Sequence, residues 1–244
     1  MREAQRAYDA ALDGLYATFA RYPFHAAMQG CPCCVDRPKI HAIGQVPLRK
    51  LDVERLMPLA SHLLTTWGGV DDFKHVLPRL FELSTTHVLD WPSIEIVFGK
   101  LPYGEWTSWP AAEQQAVSRF IDVWWSLELD RATSGEPDGD EVRYTVSDCF
   151  AALCCLRQDP RPWLQTWLRD AVVSFARFVN EHYQALIDAR RFNDFIKDDS
   201  VLAKIAAFLR EPATRAAFET ACLAAPVPTH AEILSLAEQL LTFR

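Results

Sequence analysis

A chain of 244 residues, half of them hydrophobic, is long enough to bury a substantial core as one large domain or two small ones. Its formal net charge of −7 at pH 7 excludes a strongly basic surface, which argues against nucleic acid as the main partner. No run of about 18 apolar residues occurs, so we expect no contact with a membrane. The first residues lack an apolar signal core, and we therefore predict a cytoplasmic protein.

Apolar residues recur at helical spacing through most of the sequence, and no stretch of strand length alternates with period two. In the first segment Ala7, Ala11, Leu15 and Phe19 share one face, and Pro23 ends the pattern. We predict helices over residues 2–22, 53–67, 71–87, 93–98, 145–158, 163–190, 201–210, 212–224 and 233–243, and one that begins after Ser108-Trp109-Pro110. This pattern predicts an all-α fold of antiparallel helix pairs, packed as a bundle or a short α-solenoid.

Several of these helices have predicted N-caps. Asp52 precedes one helix, Asp71 is the predicted cap of the helix that runs to His87, and Thr145 with Asp148 fits a capping box before another helix. Ser200 is the predicted cap of the helix over 201–210, and Thr229 begins a capping-box pattern in front of the last helix.

Two segments do not follow the helical period. Residues 23–49 hold four prolines and two glycines, which predicts a long irregular segment. Residues 131–141 are polar and rich in turn formers, which is typical of a linker. They separate a helical region over 1–130, with the cysteine-containing loop, from a helical region over 142–244, and we predict that the second packs on the first as one compact unit.

The irregular segment contains Gly30-Cys31-Pro32-Cys33-Cys34-Val35, in which Cys31 and Cys34 have the C-x-x-C spacing. Two thiolates three residues apart can bind one tetrahedral zinc ion, because a tight turn brings both sulfur atoms to the same side. The remaining ligands would come from three histidines, His25, His41 and His75. A second cysteine pair is missing, so an ordinary thiol loop is the alternative, and thioredoxin-type redox chemistry lacks its βαβ setting.

Two other sets of residues permit an enzymatic interpretation. Lys74 and His75 follow a capped turn and could work in a cleft, although a histidine on a helix is more often a hydrogen-bonded structural residue. A cysteine–histidine nucleophile pair could come from Cys149, Cys154, Cys155 and His182, for which burial is the alternative. No Walker, dinucleotide-binding, H-E-x-x-H or EF-hand motif occurs.

The eight tryptophans provide candidates for partner binding. Most lie at helical spacing and are predicted core residues, but Trp106 and Trp109 begin elements and are predicted to lie near the surface, where tryptophan is enriched at binding hot spots. Asp138, Asp140 and Glu141 form an acidic loop that would attract a basic partner. We therefore predict a non-enzymatic protein-binding protein, with a small zinc protein and an enzyme as the alternatives.

Four motifs of the first half occur together: the C-P-x-C loop at residues 30–35, Leu64-Thr65-Thr66-Trp67-Gly68, Asp72-Phe73-Lys74-His75, and Gly99-Lys100-Leu101-Pro102-Tyr103 with Ser108-Trp109-Pro110. They resemble a group of uncharacterised bacterial helical proteins over roughly residues 10–130. That resemblance implies no activity. Compact acidic helical proteins of this general type include immunity proteins encoded beside secreted toxins, and by analogy we expect a protein that neutralises a basic toxin by covering its active site.

Overall fold

A computed structural model of the chain describes residues 2–31, 37–89, 91–134 and 144–242. Within these ranges the backbone forms twelve α-helices and two short 3₁₀ turns, and no β-strand. The predicted all-α fold is therefore confirmed. None of the described helices combines the length and the apolar composition that crossing a membrane would require.

The described residues divide into two compact units, 2–124 and 125–242, with the division inside one helix. The first unit contains α1 (Arg2–Phe19), α2 (Arg37–Gly44), α3 (Val53–His62), α4 (Val70–Thr85), α5 (Ile94–Tyr103) and most of α6 (Ala111–Thr133). The second contains the end of α6, α7 (Val146–Cys154), α8 (Arg161–Asp170), α9 (Val172–Ile187), α10 (Asp199–Leu209), α11 (Pro212–Ala224) and α12 (Pro228–Thr242). The predicted linker at 131–141 lies largely outside the described ranges and stays a prediction.

Aromatic rings from α4, α5 and α6 form the core of the first unit. Phe81 stacks on Phe98 with ring centroids 4.9 Å apart, and Phe98 lies 4.9 Å from Trp124. Phe120 completes the cluster at 5.6 Å from Phe81. All four side chains are fully buried, and each contributes about 1.5–3 kcal/mol to stability through the apolar area it removes from water.

The core of the second unit is centred on Trp167 of α8. Its ring lies 4.9 Å from Phe178 and 5.2 Å from Phe175, both on α9, and 5.3 Å from Trp125 of α6. Farther along the chain, α11 and α12 form a helical hairpin, and α12 also packs on α9. The amide of Asn180 on α9 donates a hydrogen bond to the backbone oxygen of Ile233 at 3.0 Å and joins these two helices.

The single helix predicted over 163–190 is wrong, because the backbone breaks at Ala171, with φ −143° and ψ 53°. No proline or glycine marks this position in the sequence. The break lets α8 and α9 turn their aromatic faces toward each other, so that Trp167 meets Phe175 and Phe178. Tertiary packing therefore overrides the local helical preference here.

Other boundaries also differ from the sequence prediction. The irregular segment contains α2, whose Ile40 and Ile43 are buried. The helix predicted over 93–98 is longer than expected, because α5 continues through Gly99 to Tyr103. The helix predicted over 53–67 ends at His62.

Two of the predicted caps are correct. The Asp52 carboxylate accepts a hydrogen bond from the backbone of Arg55, and Thr145 forms the capping box with Asp148. The predicted Ser200 cap is wrong, because α10 begins earlier and Asp198 accepts the hydrogen bond from the Ser200 backbone.

Two further predicted caps lie inside their helices and are therefore wrong. Asp71 is the second residue of α4, which begins at Val70. Thr229 is the second residue of α12, which begins at Pro228.

Candidate functional site

The beginning of the cysteine loop lies against the Thr65-Thr66-Trp67-Gly68 turn. The Cys31 amide donates to the Thr66 oxygen at 3.0 Å, and the Gly68 amide donates to the Gln29 oxygen at 2.7 Å. An isolated antiparallel bridge joins Gly30 to Trp67. An open crevice of about 560 Å³ lies at this junction, lined by Gln29, Gly30, Leu64, Thr65, Thr66, Trp67 and Gly68.

The turn itself is closely hydrogen bonded. The backbone oxygen of His62 accepts from the amides of Thr65, Thr66 and Trp67 at 3.0–3.1 Å. The His62 ring stacks on the buried Trp67 ring at 5.0 Å, and its Nδ1 lies 3.0 Å from Thr66 Oγ1. Gly68 has a φ of +59°, the left-handed region in which a side chain is strained.

Two of the histidines predicted as zinc ligands have other hydrogen-bond partners. His25 Nδ1 lies 2.9 Å from the Asp72 carboxylate at the start of α4. His75 Nδ1 donates to the backbone oxygen of Tyr22 at 2.7 Å, and its ring packs on Phe24. These bonds attach the segment that follows α1 to α4, which is the structural role considered for His75 from the sequence.

The described residues do not assemble the predicted zinc site. Within residues 2–31, 37–89, 91–134 and 144–242, no three His, Cys, Asp or Glu side chains lie close enough to hold one metal ion. His41 is exposed on α2. Of the C-x-x-C pair, Cys31 is half-buried, whereas Cys34 lies outside the described residues, so zinc binding by this loop stays a prediction.

A buried ion pair joins α4 to α6. Lys74 Nζ lies 2.8 Å from Glu113 Oε2, with side-chain exposures of 7% and 0%. Glu113 Oε1 accepts hydrogen bonds from Tyr22 at 2.5 Å and from Arg21. The Lys74 ammonium also lies 4.5 Å from the ring centroid of Trp109, a distance at which the π face attracts a cation.

The electrostatics of this network hold both groups in their charged forms. Burial by itself would raise the pKa of Glu113, but hydrogen bonds from Lys74, Tyr22 and Arg21 outweigh it and place the pKa below its usual value. Burial would lower the pKa of Lys74, and its bonds to Glu113 and Tyr22 reverse that effect and raise it. A nucleophilic lysine needs the opposite shift. This network therefore keeps Lys74 protonated and does not present a reactive amine.

The cysteines of α7 are equally unsuited to nucleophilic chemistry. Cys149 and Cys154 are 0% and 1% exposed, and burial together with the neighbouring Cys155 raises the pKa of Cys154 well above its usual value. A reactive cysteine needs a lowered pKa. His182, proposed as their base, packs its ring on Phe178 and lies 3.3 Å from Ser147 Oγ.

Lys100 is a buried amine that the sequence analysis did not identify. It is 5% exposed, and its Nζ donates to the Leu63 backbone oxygen at 2.9 Å. Burial lowers its pKa from 10.5 to about 8. The signal in the sequence is its place as the one basic residue of the otherwise mostly apolar α5.

The predicted surface positions of Trp106 and Trp109 are wrong. Both are buried, at 6% and 5% exposure, and Trp109 Nε1 donates to the Gly104 oxygen at 2.8 Å. The 3₁₀ turn Trp106–Ser108 leads the chain back toward the core, where Trp109 packs edge-on against Phe73 and Phe19. The free energy gained by burying so large an apolar ring decides the location of each tryptophan, even though each lies at the start of an element. The three acidic residues paired with them in that prediction, Asp138, Asp140 and Glu141, lie outside the described residues.

An exposed tryptophan occurs instead between α4 and α5. We call the described residues 86–89 and 91–93 the Trp91 loop. Trp91 is 55% exposed and Val88 is 47% exposed, whereas Leu89 and Pro92 beside them are buried. The amides of Val88 and Leu89 both donate to the Leu83 oxygen, at 3.1 and 3.0 Å. The buried residues and the hydrogen bonds fix the loop, which presents two apolar side chains to solvent.

These features define an all-α protein with a buried charge network and an exposed, structurally fixed apolar loop. No protein-family model matches the chain, and no curated protein and no solved structure matches it either. The resemblance of residues 10–130 to bacterial helical proteins therefore stays a prediction that depends on the motifs alone.

Proposed function

We propose that this chain is a non-enzymatic protein-binding protein and that the Trp91 loop is the centre of its binding surface. The observation that supports this proposal is the exposure of Trp91 and Val88 on a loop anchored by Leu89 and Pro92. A loop that is already anchored loses less conformational entropy on binding, and tryptophan is among the residues that supply most binding energy at protein interfaces.

The charge of the chain favours a basic partner. A net charge of −7 accelerates association with a positively charged protein and disfavours acidic competitors. Following the resemblance to bacterial helical proteins, we propose a basic bacterial toxin as the partner, neutralised in the cytoplasm because this protein covers its active site.

The proposed catalytic groups support binding over catalysis. Lys74 is held as a charged ion pair with Glu113, and the pKa of Cys154 is raised by burial. Neither state suits a nucleophile at neutral pH. An exposed apolar loop, in contrast, costs solubility unless a partner covers it.

The experiment is a binding titration of the purified chain against the product of the adjacent gene. We expect Trp91→Ala to weaken binding by about 30-fold or more, the effect of losing a hot-spot residue worth about 2 kcal/mol. Tyr103→Ala is the matched control, because Tyr103 is an exposed aromatic residue, at 66%, on the other end of α5. Thermal melts of both variants check that the fold is intact.

Two results would count against the proposal in different ways. If the wild-type chain forms no complex with the neighbouring product at micromolar concentration, the toxin partner is wrong. If a complex forms and Trp91→Ala binds as tightly as Tyr103→Ala, the Trp91 loop is not its interface.

A further inference from the structure

The indole N–H of Trp67 is a buried hydrogen-bond donor without an acceptor. Trp67 is 2% exposed, and its Nε1 has no hydrogen-bond partner in the part of the chain that the structure describes. A buried indole N–H usually has a partner, because an unpaired donor away from water costs free energy. Trp67 also lines the crevice of about 560 Å³ at the Thr65–Gly68 turn. The unpaired donor therefore points to a ligand in this crevice that carries an acceptor oxygen.

The lining of the crevice favours a neutral ligand. Its hydrogen-bonding side chains are those of Gln29, Thr65, Thr66 and Trp67, and none of the lining residues that the structure describes is charged. An ionised ligand would lose part of its hydration in the crevice without meeting a counter-charge. An apolar ligand would leave the Trp67 donor unpaired. The lining therefore selects a molecule with several uncharged polar groups.

The same side chains offer both acceptors and donors to such a molecule. The Thr65 hydroxyl already donates to the His62 backbone oxygen at 2.9 Å, so it offers a ligand its lone pairs. Trp67 offers only a donor, whereas the exposed Gln29 amide offers both a donor and an acceptor. A hydroxyl group donates and accepts, and it can pair with each of these three side chains. A molecule with several hydroxyl groups therefore fits the whole set.

We propose that this crevice binds a neutral sugar and that one sugar oxygen accepts the hydrogen bond of Trp67 Nε1. The volume lies within the range of about 300–1,000 Å³ that is typical of small-molecule sites. The backbone of the turn is fixed, since the His62 oxygen accepts the amides of Thr65, Thr66 and Trp67. The site shares no residue with the Trp91 loop and does not depend on the proposed protein-binding function.

Binding requires a small movement at the rim of the crevice. Nε1 of Trp67 is shielded from water, so a side chain has to rotate before a ligand oxygen reaches it. Thr65 and Thr66 are exposed at the rim, where rotation meets little resistance. Because the crevice is open and the contacts are few, we expect a dissociation constant in the millimolar range.

The experiment is an NMR titration of the isotope-labelled full chain with glucose, galactose and N-acetylglucosamine. Each of the eight tryptophans contributes one indole N–H signal. The Trp67→Phe variant identifies the signal of Trp67, because it removes the N–H and keeps a buried aromatic ring. We expect at least one of the three sugars to shift this signal in a saturable way. The proposal is overturned if none of them shifts it at concentrations up to the limit of solubility.

Two variants test whether the indole N–H itself binds the sugar. Trp67→Phe should weaken binding, followed through the Gly68 backbone amide signal, by about tenfold or more. Trp106→Phe is the matched control, because Trp106 is also buried and its Nε1 also lacks a partner among the described residues, but it lies outside the crevice lining. Equal affinity of the two variants would overturn the proposal. Thermal melts of both variants check that the fold is intact.

Two further measurements keep the test valid if Trp67→Phe does not fold. Gln29→Ala changes an exposed lining side chain, and we expect it to weaken sugar binding by about threefold or more without lowering the melting temperature. Glucuronate has the ring of glucose with one negative charge, and we expect it to bind the wild-type chain at least about fivefold more weakly than glucose. Wild-type affinity of Gln29→Ala, or equal affinity for glucuronate and glucose, would contradict a site with this neutral lining.

Discussion

Glu113 on α6 lies directly opposite Lys74 on α4, with Oε2 and Nζ 2.8 Å apart and both side chains shielded from water. Tyr22 bonds to the same carboxylate from the segment that follows α1. Three parts of the first unit therefore meet at one negative charge. A buried ion pair contributes little net stability by itself, but removal of one partner leaves the other charge without compensation.

Glu113→Leu should destabilise the protein by about 3–5 kcal/mol, because it leaves the Lys74 ammonium buried without its counter-charge. Denaturant-induced unfolding measures this change. Asp13→Ala is the control, since the Arg49–Asp13 pair is exposed and such pairs contribute under about 1 kcal/mol. Equal effects of the two substitutions would show that the Lys74–Glu113 pair is not buried in solution.

Lowering the pH should remove the stabilisation that the ionised Glu113 carboxylate provides, without any substitution. Because the folded pKa of Glu113 lies below its usual value of 4.5, the unfolded chain takes up this proton first as the pH falls. The stabilisation is fully present above pH 4.5 and is lost as the pH falls through the folded pKa. The difference in unfolding free energy between wild type and Glu113→Gln should therefore shrink below pH 4.5. A difference that stays constant from pH 6 to pH 3 would contradict the assignment.

Lys100 should also make the stability rise with pH, but in the alkaline range. Its folded pKa is about 8 against a usual value of 10.5, so the unfolded chain binds more protons between these two values. Stability from this group rises as the pH increases from about 8 to 10.5, and the charged amine is unfavourable at pH 7. We expect Lys100→Met to stabilise the protein at pH 7 by about 1–3 kcal/mol, because it removes the buried charge, although loss of the hydrogen bond to Leu63 offsets part of this gain.

The alkaline prediction is measured by chemical denaturation at pH 7, 8.5 and 10, with the exposed Lys50→Met as control. The advantage of Lys100→Met over wild type should shrink as the pH rises, whereas Lys50→Met should stay near wild type throughout. Loss of stability in Lys100→Met at pH 7 would mean that the amine is hydrated in solution.

Gly68→Ala should destabilise the turn against which the cysteine loop lies. Gly68 has a φ of +59°, and a Cβ added there would lie 2.9–3.0 Å from Asp72 side-chain atoms and 3.0 Å from Met28 Sδ. We expect a loss of about 1–3 kcal/mol in unfolding free energy. Gly69→Ala is the matched control, because a Cβ at Gly69 meets nothing within 4 Å. Equal stability of the two variants would contradict the geometry of the turn.

Much of the helical architecture follows from local signals in the sequence. Helical periodicity predicts the all-α fold, and Pro212 marks the start of α11 as predicted. The Asp52 and Thr145 caps are correct because a cap depends on hydrogen bonds within four residues of the same segment. The break at Ala171 has no such signal, since it arises from the meeting of Trp167 with Phe175 and Phe178.

The sequence alone thus determined where most helices form and that the Cys31 segment and the Thr65–Gly68 turn are unusual. Only the tertiary structure decided which side chains these elements expose or pair. Trp91 and Trp109 each lie beside a proline near the start of a helix, yet one is exposed and the other is buried. Lys74 and Glu113 are ordinary charged residues until α4 and α6 pack together. Exposure and ion pairing depend on contacts between segments distant in sequence, and no local pattern records those contacts.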